Sequence, residues 1–442
     1  MRKLITASML LFLCSSAVAQ VESDRFNTYS PYSIFGIGES RFTMGTAETQ
    51  GMAGVGVSWT PVGVNNLINP ASLSNLRQTT YTLGASLDYS KYKDSRYSNN
   101  HKDIYFDYLV FSVPLSRKSA VSFGLTPFST TGYSIYDRDS TLVGGSYKQK
   151  LDYYDGNGGI TQLYLSYGRE LFKNFSVGAS ASYLFGTIKR STFNYLEDRL
   201  LQNKITESNW ITGFKFRFGF NYAFPVVKET MVFLGATYDF SANLTNERTY
   251  RNYVVSAFED DYDPDNPQNV QEDTSNKFKL PWNVTAGVGV GNIKKWYVGI
   301  DAQYISKPDY EGVDYVKGEA EYQKSMRVAL GASYIPMYNS PKSYFERVRY
   351  QAGVYFRQSE YKLFGQQIND MGGTLGIALP MTKVTSQVMS ISNLNVFLNF
   401  GMLGKANKGV IRETEAMVKE TYFKLGVSFS LNDTWFIKQR YY

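Results

Sequence analysis

The 442-residue sequence has almost none of the residues on which metal and thiol chemistry depend. It contains one cysteine, Cys14, and one histidine, His101. A zinc site built on two or three histidines is therefore excluded, and so are disulfides and thiolate chemistry beyond Cys14. His101 stands in a polar stretch beside Asn100 and Asp103. A serine hydrolase would need that histidine held rigidly against a serine, so we predict a surface histidine and no enzyme.

Long apolar runs and blocks of one charge are also missing. After residue 20, no apolar run approaches the roughly 20 residues of a transmembrane helix. The formal net charge is +7, but no lysine- or arginine-rich block occurs, so nucleic-acid binding is not expected. The glycine-rich residues 155–159 lack the lysine and the serine or threonine of a phosphate-binding loop and predict a turn. No cofactor is predicted.

The first residues have the features of a secretory signal peptide. Arg2 and Lys3 precede an apolar run over residues 4–13, and Ala17-Val18-Ala19 forms a small-residue cleavage site. We predict that residues 1–19 are removed on export.

Aromatic residues, by contrast, are abundant and occur in alternating patterns. The chain has 36 tyrosines and 29 phenylalanines. Residues 80–89, 175–185 and 214–222 each alternate apolar with polar or small side chains, which is the period of a strand with one apolar face. The mean hydropathy is −0.30. That low value is compatible with a membrane strand, because such a strand presents only every second residue to lipid.

The alternation predicts about fourteen strands. Many exceed the five or six residues usual in a soluble sandwich and reach the 9–11 that cross a bilayer. Short connections alternate with longer ones near 92–102, 130–158, 189–207, 244–275, 307–320, 359–365 and 405–417, which suits periplasmic turns and external loops. The predicted strands lie near 77–91, 103–115, 118–129, 159–171, 174–188, 208–223, 229–243, 276–290, 294–306, 321–335, 345–358, 366–380, 391–404 and 418–431. We predict an all-β, transmembrane antiparallel β-barrel over residues 77–442.

The segment before the barrel predicts a plug. Residues 20–76 are rich in glycine and small residues towards their end, where Asn69 suits a helix N-cap and Pro70 the first helical position. Ile68 and Leu73 have the spacing of a hydrophobic staple. Because fourteen strands enclose a lumen wide enough to leak, we predict an N-terminal extension and hatch over 20–76.

These features resemble the FadL/TodX family of outer-membrane transport proteins. The matching text is Gly45-Thr-Ala-Glu-Thr-Gln-Gly-Met-Ala-Gly-Val-Gly-Val57, followed by Asn69-Pro70-Ala71-Ser72-Leu73; the opening at Tyr29 and the close after Leu431 are similar to a Bacteroidota-type branch. The resemblance implies a fourteen-stranded barrel whose lumenal hatch gates passage of fatty acids or aromatic hydrocarbons. It assigns the gate to Asn69, Pro70, Ala71 and Leu73.

The same resemblance implies a kink in the third strand that opens the wall toward the membrane. The candidate residues here are Gly124, Pro127, Phe128 and Gly132. Proline removes a ladder donor and glycine permits a bend. The alternative is that Pro127 ends the strand at the barrel rim.

Two further sets of residues are candidate ligand sites. The aromatic residues Tyr164, Phe233, Tyr297 and Phe397 occupy the polar, inward register of their strands, where they would contact a lipophilic ligand or else pack against the plug. Clustered carboxylates suit calcium, but the spacing of this cluster does not match a calcium loop, and a solvated loop is the alternative. The cluster comprises Asp260, Asp261, Asp263 and Asp265.

Two functions are open at this point. The first is passive uptake of hydrophobic small molecules through the outer membrane, gated by the hatch. The second is a non-transporting structural subunit of an outer-membrane assembly or secretion complex, with 130–158 and 244–275 as partner surfaces. A continuous apolar lumen favours uptake, and a sealed lumen with an exposed apolar or charged patch favours the subunit. Outer-membrane lipid and lipopolysaccharide are expected partners in both. The aromatic assembly signal is either Phe429 or Tyr442.

Overall fold

The computed structural model describes residues 29–39, 45–94, 97–227, 229–256, 266, 269–310, 312–313, 315, 320–341, 343–381, 392–405 and 417–433. The signal peptide, the four aspartates of the calcium candidate and Tyr442 lie outside these residues. Among the described residues, no helix is long and apolar enough to cross a membrane.

The described residues form seventeen strands in one antiparallel sheet. They are β1 (Thr79–Lys93), β2 (Ser98–Ser116), β3 (Ser119–Val143), β4 (Ser146–Phe172), β5 (Phe175–Leu196), β6 (Leu201–Val227), β7 (Thr230–Asp239), β8 (Ala242–Ser256), β9 (Val270–Leu280), β10 (Asn283–Asn292), β11 (Trp296–Ile305), β12 (Ala320–Tyr322), β13 (Ser325–Tyr334), β14 (Arg349–Leu363), β15 (Gln366–Pro380), β16 (Asn393–Leu403) and β17 (Lys419–Asp433).

Fourteen of these strands close a barrel. The wall follows chain order from β1 to β7, continues through β10, β11 and β13 to β17, and closes where β17 pairs with β1. Strands β8 and β9 extend the wall beyond β7 and β10, and β12 adds three residues beside β14. The predicted fourteen-stranded barrel is confirmed.

The wall turns its apolar face outward. On β6, Phe214, Phe216, Phe218 and Phe220 are 60, 51, 54 and 44% exposed, whereas Asn221 on the other face is buried. An exposed apolar belt around the whole wall needs hydrocarbon to cover it. The chain is therefore a transmembrane β-barrel of the outer-membrane type, and the alternation identified the correct face.

Five of the seven predicted external loops are mostly strand. The stretches 92–102, 130–158 and 189–207 lie largely within β1 to β6, and a two-residue turn at Gly144 and Gly145 joins β3 to β4. Most of 244–275 belongs to β8 and β9, and most of 359–365 to the end of β14. Their polar composition suggested loops, but strands beyond the membrane need only backbone partners and cross-strand contacts, not an apolar face. The positive φ angles of both turn glycines suit such a tight hairpin.

These extensions form one sheet that rises on one side of the barrel, here called the surface sheet. It comprises the upper parts of β3 to β6 (130–143, 146–158, 188–196 and 201–212) together with β8 and β9. Short turns at 117–118, 173–174 and 293–295 lie at the opposite end of the wall. Since short turns face the periplasm in such barrels, the surface sheet faces the outside of the cell.

Residues 45–76, here called the hatch, lie inside the lumen towards the periplasmic end. They include a one-turn α-helix (Ala47–Gln50) and a 3-10 helix (Pro70–Asn75). Asn69 caps the 3-10 helix, since its side chain accepts a hydrogen bond from the Ala71 amide, and it is completely buried. The helix start predicted at Asn69 and Pro70 is therefore present, as a 3-10 helix, inside the barrel.

A second N-terminal segment, residues 29–39, lies nearer the external end. It contains a 3-10 helix (Pro31–Ile34) and pairs with β3 through Ser30 and Glu39, whose amides donate to Gly132 and Thr130. Two buried apolar clusters surround it. The lumen is thus filled at two levels.

Candidate functional site in the barrel lumen

Seven glycines of the barrel wall face the hatch directly, six of them against its backbone and Gly219 against the Asn69 side chain. A Cβ atom added at any of them would lie 2.2–2.8 Å from a hatch atom, closer than real Cβ contacts. Inward side chains larger than hydrogen would therefore push the hatch off the wall. The seven are Gly168, Gly178, Gly219, Gly235, Gly331, Gly353 and Gly376. They lie on seven different strands, so the wall holds the hatch around much of its circumference.

Polar side chains of the wall also bind the hatch backbone. Asp301 on β11 accepts hydrogen bonds from the amides of Gly56 and Val57, at 2.8 and 3.0 Å. Thr374 on β15 accepts from the Ala53 amide and donates to the Gly51 carbonyl, at 2.8 and 3.0 Å. Hydrogen bonds to a charged carboxylate are among the stronger ones in proteins. Sequence reasoning missed both wall residues, although their polar side chains on the inward register were the available signal.

The predicted gate residues fasten the hatch to the periplasmic half of the wall. The Asn69 side-chain amide donates to the carbonyls of Val57 and Phe220, at 2.8 and 3.0 Å. Pro70 lies over two wall glycines, and Leu73 packs in a small buried cluster with Leu76 and Ala120. Ala71 is the residue whose amide Asn69 caps. These four residues therefore make anchoring contacts in this structure.

The four candidate ligand aromatics are all buried, in three separate places. Phe233 and Tyr297 pack against each other at 6.0 Å between ring centroids, in a cluster with the hatch residues Met52 and Trp59. The Tyr297 hydroxyl lies 2.9 Å from Ser58 Oγ.

Tyr164 and Phe397 lie elsewhere on the wall. Tyr164 borders a small cavity of about 50 Å³ beside Leu67 and Leu73. Phe397 lies against Gly426, with the Lys424 ammonium 5.5 Å from its ring centroid. A ligand-binding role for the four aromatics stays a prediction.

Between the hatch and residues 29–39 lies a larger cavity, here called the charged chamber, of about 120 Å³. Its charged lining residues are Asp88, Lys215, Arg217, Asp239, Arg327, Arg357, Glu360, Asp370 and Lys424. Several are paired: the Lys215 ammonium lies 2.7 Å from Asp239, and Lys424 lies 3.2 Å from Asp107. The middle of the lumen therefore combines paired charges with apolar and aromatic side chains such as Phe128, Leu280 and Tyr310.

An apolar layer closes the chamber on the external side. Ile37 of the N-terminal segment joins Tyr310 and Val313, from the connection after β11, in one buried cluster. Arg190 is buried beneath this layer and donates to the carbonyls of Gly36 and Val313.

Tyr32 anchors the same N-terminal segment. Its hydroxyl donates to the Val418 carbonyl. Burial raises the pKa of this hydroxyl, and the carboxylates of Glu420 and Glu39 raise it further. The group therefore stays protonated and can keep donating to Val418.

The third strand does not end at Pro127. Strand β3 runs on to Val143, and the register between β3 and β4 shifts at Phe128. Strands β2 and β3 are paired with each other from the turn at 117–118 up to Leu109 and Leu125. Beyond that point, β2 stays paired only with β1, and β3 only with β4. Bulges bend strands. The two strands therefore separate within the wall, near the candidate kink residues.

Gly124 and Gly132 lie on either side of this separation. Gly124 lies where β2 and β3 are still paired, and a Cβ there would meet the Leu109 carbonyl oxygen at 2.2 Å. Gly132 lies above it and bonds Ser30 and Ser33 of the N-terminal segment. Part of the inward edge of β3 is therefore occupied by the chain's own N-terminal segment.

Tyr29 spans the separation between the two strands. Its amide donates to Asp103 of β2 at 2.9 Å, while its hydroxyl accepts from the Ser134 amide of β3 at 2.9 Å. His101 stacks on the same tyrosine ring at 4.5 Å and lies 2.9 Å from Asp103. His101 is therefore part of this contact between the strands.

Side chains that could bind a metal ion do not cluster in the part of the chain that the structure describes. It brings together no group of three or more histidine, cysteine, aspartate or glutamate residues that could hold a metal ion.

Comparison with solved structures places the fold among hydrocarbon channels of the FadL/TodX type. The CymD monoaromatic hydrocarbon channel aligns with a TM-score of 0.54 and 14% identity, over 90% of this chain and 99% of that one. The Ralstonia pickettii toluene transporter TbuX aligns with 0.55 and 14%, over 88% and 99%. A Pseudomonas aeruginosa FadL homologue aligns with 0.57 and 12%, over 90% and 99%. The resemblance found in the sequence is confirmed at the level of fold.

The family model that matches the sequence has a different name from the structural matches. No curated protein matches the chain significantly. The model of the family described as BamG matches residues 1–442, which is the entire sequence. The assignment to a Bacteroidota branch stays a prediction. Because this family model matches the chain over its whole given length, the chain belongs to the BamG family.

Proposed function

We propose that this protein is a sealed outer-membrane barrel that acts as a structural subunit of an outer-membrane protein assembly, with partners bound on its surface sheet. The observation that carries the proposal is the filling of the lumen at two levels. Outer-membrane lipid and lipopolysaccharide cover the apolar belt, as for any such barrel.

The attachment of the hatch supports a fixed plug. Movement of the hatch would separate it from wall glycines on seven strands, six of which contact its backbone. It would also break the bonds from Gly56 and Val57 to Asp301. Each buried polar group left without a partner costs about 1–3 kcal/mol. A gate that opens and closes needs two arrangements of similar free energy, and this contact set favours one of them.

The charged chamber argues against an apolar solute as cargo. A hydrocarbon placed there would displace water from groups such as Arg357 and Glu360. Moving a polar group from water to an apolar environment costs roughly 2–7 kcal/mol, and more for an ion. Binding sites for hydrophobic ligands are mostly lined by apolar and aromatic side chains with a few polar groups, whereas this lining adds nine charged side chains to apolar ones such as Phe128 and Leu280.

A second candidate function is passive uptake of hydrophobic small molecules such as long-chain fatty acids, gated by the hatch. The observation in its favour is the separation of β2 and β3 above Leu109 and Leu125, which offers an exit through the wall. In this scheme, Tyr164, Phe233, Tyr297 and Phe397 would contact the molecule on its way.

One purification separates the two functions. The full chain is extracted from its native membrane in mild detergent through an affinity tag, and the eluate is analysed by mass spectrometry for both proteins and lipids. We expect partner proteins in stoichiometric amounts and no enriched lipophilic compound. A bound fatty acid or hydrocarbon without any protein partner would overturn the proposal in favour of uptake.

A hatch variant adds a functional readout. Removing residues 29–76, and with them both the N-terminal segment 29–39 and the hatch, should open an ion-conducting pore in a planar bilayer, while the intact chain should stay closed. Uptake of a fluorescent fatty acid into cells is then compared with and without the intact chain. Uptake that depends on the intact chain would contradict the sealed barrel.

A further inference from the structure

Two neighbouring hairpin tips of the surface sheet carry large apolar side chains exposed to solvent. Leu142 and Tyr147 are cross-strand partners at the β3–β4 tip and are 60 and 78% exposed. Leu200 and Leu201 at the β5–β6 tip are 90 and 53% exposed. We call these four residues the tip patch.

The two tips are joined, so the tip patch lies on one ordered edge. The Glu197 amide donates to the Gln149 carbonyl at 3.0 Å, and the Gln149 amide donates back to the Glu197 carboxylate at 2.8 Å. The Lys148 ammonium lies 3.1 Å from Asp198. These contacts hold both hairpins together up to their ends.

The tip patch lies too far from the membrane for lipid to cover it. Trp210 on β6 is 44% exposed on the outward face, at the upper end of the apolar belt, where tryptophan marks the membrane interface. Leu201 lies nine residues before it on the same strand. At about 3.3 Å per residue this is roughly 30 Å along the strand, or about 20 Å above the interface at a tilt near 45°.

The charges beside the tip patch point to a protein as its occupant. Lys148 and Lys150 lie 3.1 and 2.6 Å from Asp198 and Asp152, so their charges are matched. Arg199 and Glu197 in the same turn add one charge of each sign, so the edge carries no net excess of cations. Lipopolysaccharide phosphates would instead need a surplus of unmatched cations. An apolar centre bordered by paired charges is the composition of a protein–protein interface.

Resting on the proposed function, we infer that the tip patch is the docking site for a second, different protein on the cell surface, one whose own surface offers an apolar groove. Leu200 is the anchor that enters the groove, because it is the most exposed apolar side chain of the patch. The surface sheet serves to hold this anchor at a fixed height above the membrane.

Site-specific photocrosslinking in the full chain in its native cells tests the inference. A photoreactive amino acid is placed at Leu200 or at Tyr147. The control position is Phe364, a 44% exposed aromatic residue at the external turn between β14 and β15, outside the surface sheet. We expect one protein adduct from the two patch positions and none of that adduct from Phe364.

A paired variant measures the contribution of the patch. We expect the variant with Tyr147→Ser and Leu200→Ser to recover about tenfold less of the crosslinked partner, as for truncation of interface anchors. Phe364→Ser should recover the same amount as the unaltered chain. Gel mobility before and after heating checks that both variants fold.

Each other outcome has a definite meaning. A crosslink to lipopolysaccharide or to a second copy of this chain would overturn the inference. Partner proteins that co-purify unchanged with the paired variant would overturn the inference and leave the proposed function standing. If no partner co-purifies with the unaltered chain, the proposed function fails as well.

Discussion

Replacing Gly178 by alanine should loosen the hatch without touching the outer surface of the barrel. A Cβ atom at this position would lie 2.4 Å from the carbonyl carbon of Pro70 and 2.5 Å from the Ala71 nitrogen. Both atoms belong to the hatch backbone, so no side-chain rotation can relieve the overlap. Either the wall or the 3-10 helix Pro70–Asn75 must move.

The size of the effect follows from two contributions. Extra volume in a packed interior costs about 1–3 kcal/mol. Displacing the helix also weakens the cap from Asn69 to the Ala71 amide, which is worth about 1 kcal/mol. A total of about 2–4 kcal/mol would raise the population of the opened hatch by roughly 30- to 700-fold, at 1.4 kcal/mol per factor of ten.

Hydrogen–deuterium exchange measures this opening directly. The amides of Ala71, Ser72 and Leu76 are bonded within the hatch. In the purified Gly178→Ala protein they should exchange faster by the factor given above, while amides of the strands far from the hatch keep their rates.

The matched control is Gly373→Ala on β15. A Cβ atom there meets only ordinary contacts, at 3.7 and 3.9 Å, so hatch exchange should not change. Equal exchange in Gly178→Ala and the unaltered chain would refute the reasoning that the wall glycines hold the hatch.

Three further predictions test other parts of the lumen and the wall. Asp301→Asn removes the charge of the side chain that accepts hydrogen bonds from the Gly56 and Val57 amides. Hydrogen–deuterium exchange of these two amides should rise about 10- to 100-fold, and unchanged rates would mean that these bonds do not hold the hatch. Tyr29→Phe removes the hydroxyl bonded to the Ser134 amide; exchange at Ser134 should rise about 2- to 10-fold, and a change spread evenly over β3 would argue against a local bond. Because Cys14 is the sole cysteine, Phe364→Cys at the external turn between β14 and β15 and Phe216→Cys can be compared in native membranes. A water-soluble maleimide should label the first and not the second, and labelling at Phe216 would place the apolar belt elsewhere.

The sequence predicted the barrel because lipid imposes a simple rule on every strand. The alternation at Phe214, Phe216 and Phe218 reports directly which face meets hydrocarbon, and the exposure of these residues agrees with it. Above the membrane, a strand needs no apolar face. The polar stretch 130–158 therefore shows no apolar alternation, yet β3 and β4 continue through most of it.

The hatch shows a second limit of sequence reasoning. Asn69 and Pro70 predicted a local helix start because capping depends on adjacent residues. The anchors Asp301 and Thr374 contact hatch amides more than 200 positions away in the chain. Such pairs leave no local pattern. Only their polar side chains on the inward face of a strand could have drawn attention to them.

The wall glycines connect the plug to the proposed role of the protein. A plug held by side chains can shift when those side chains change rotamer, but a plug whose backbone rests on glycine must move as a body or not at all. At Gly219 and Gly235 the nearest hatch atoms to an added Cβ are Asn69 Oδ1 and the Val57 carbonyl oxygen, both at 2.2 Å, and Asn69 itself donates to that same carbonyl. One displacement would therefore break the wall contacts and the internal bonds of the hatch together. We therefore expect barrel and hatch to move as a single rigid body, which leaves the sheet above the membrane as the surface open to partners. This is the physical reason to look for the function of the chain in what binds there.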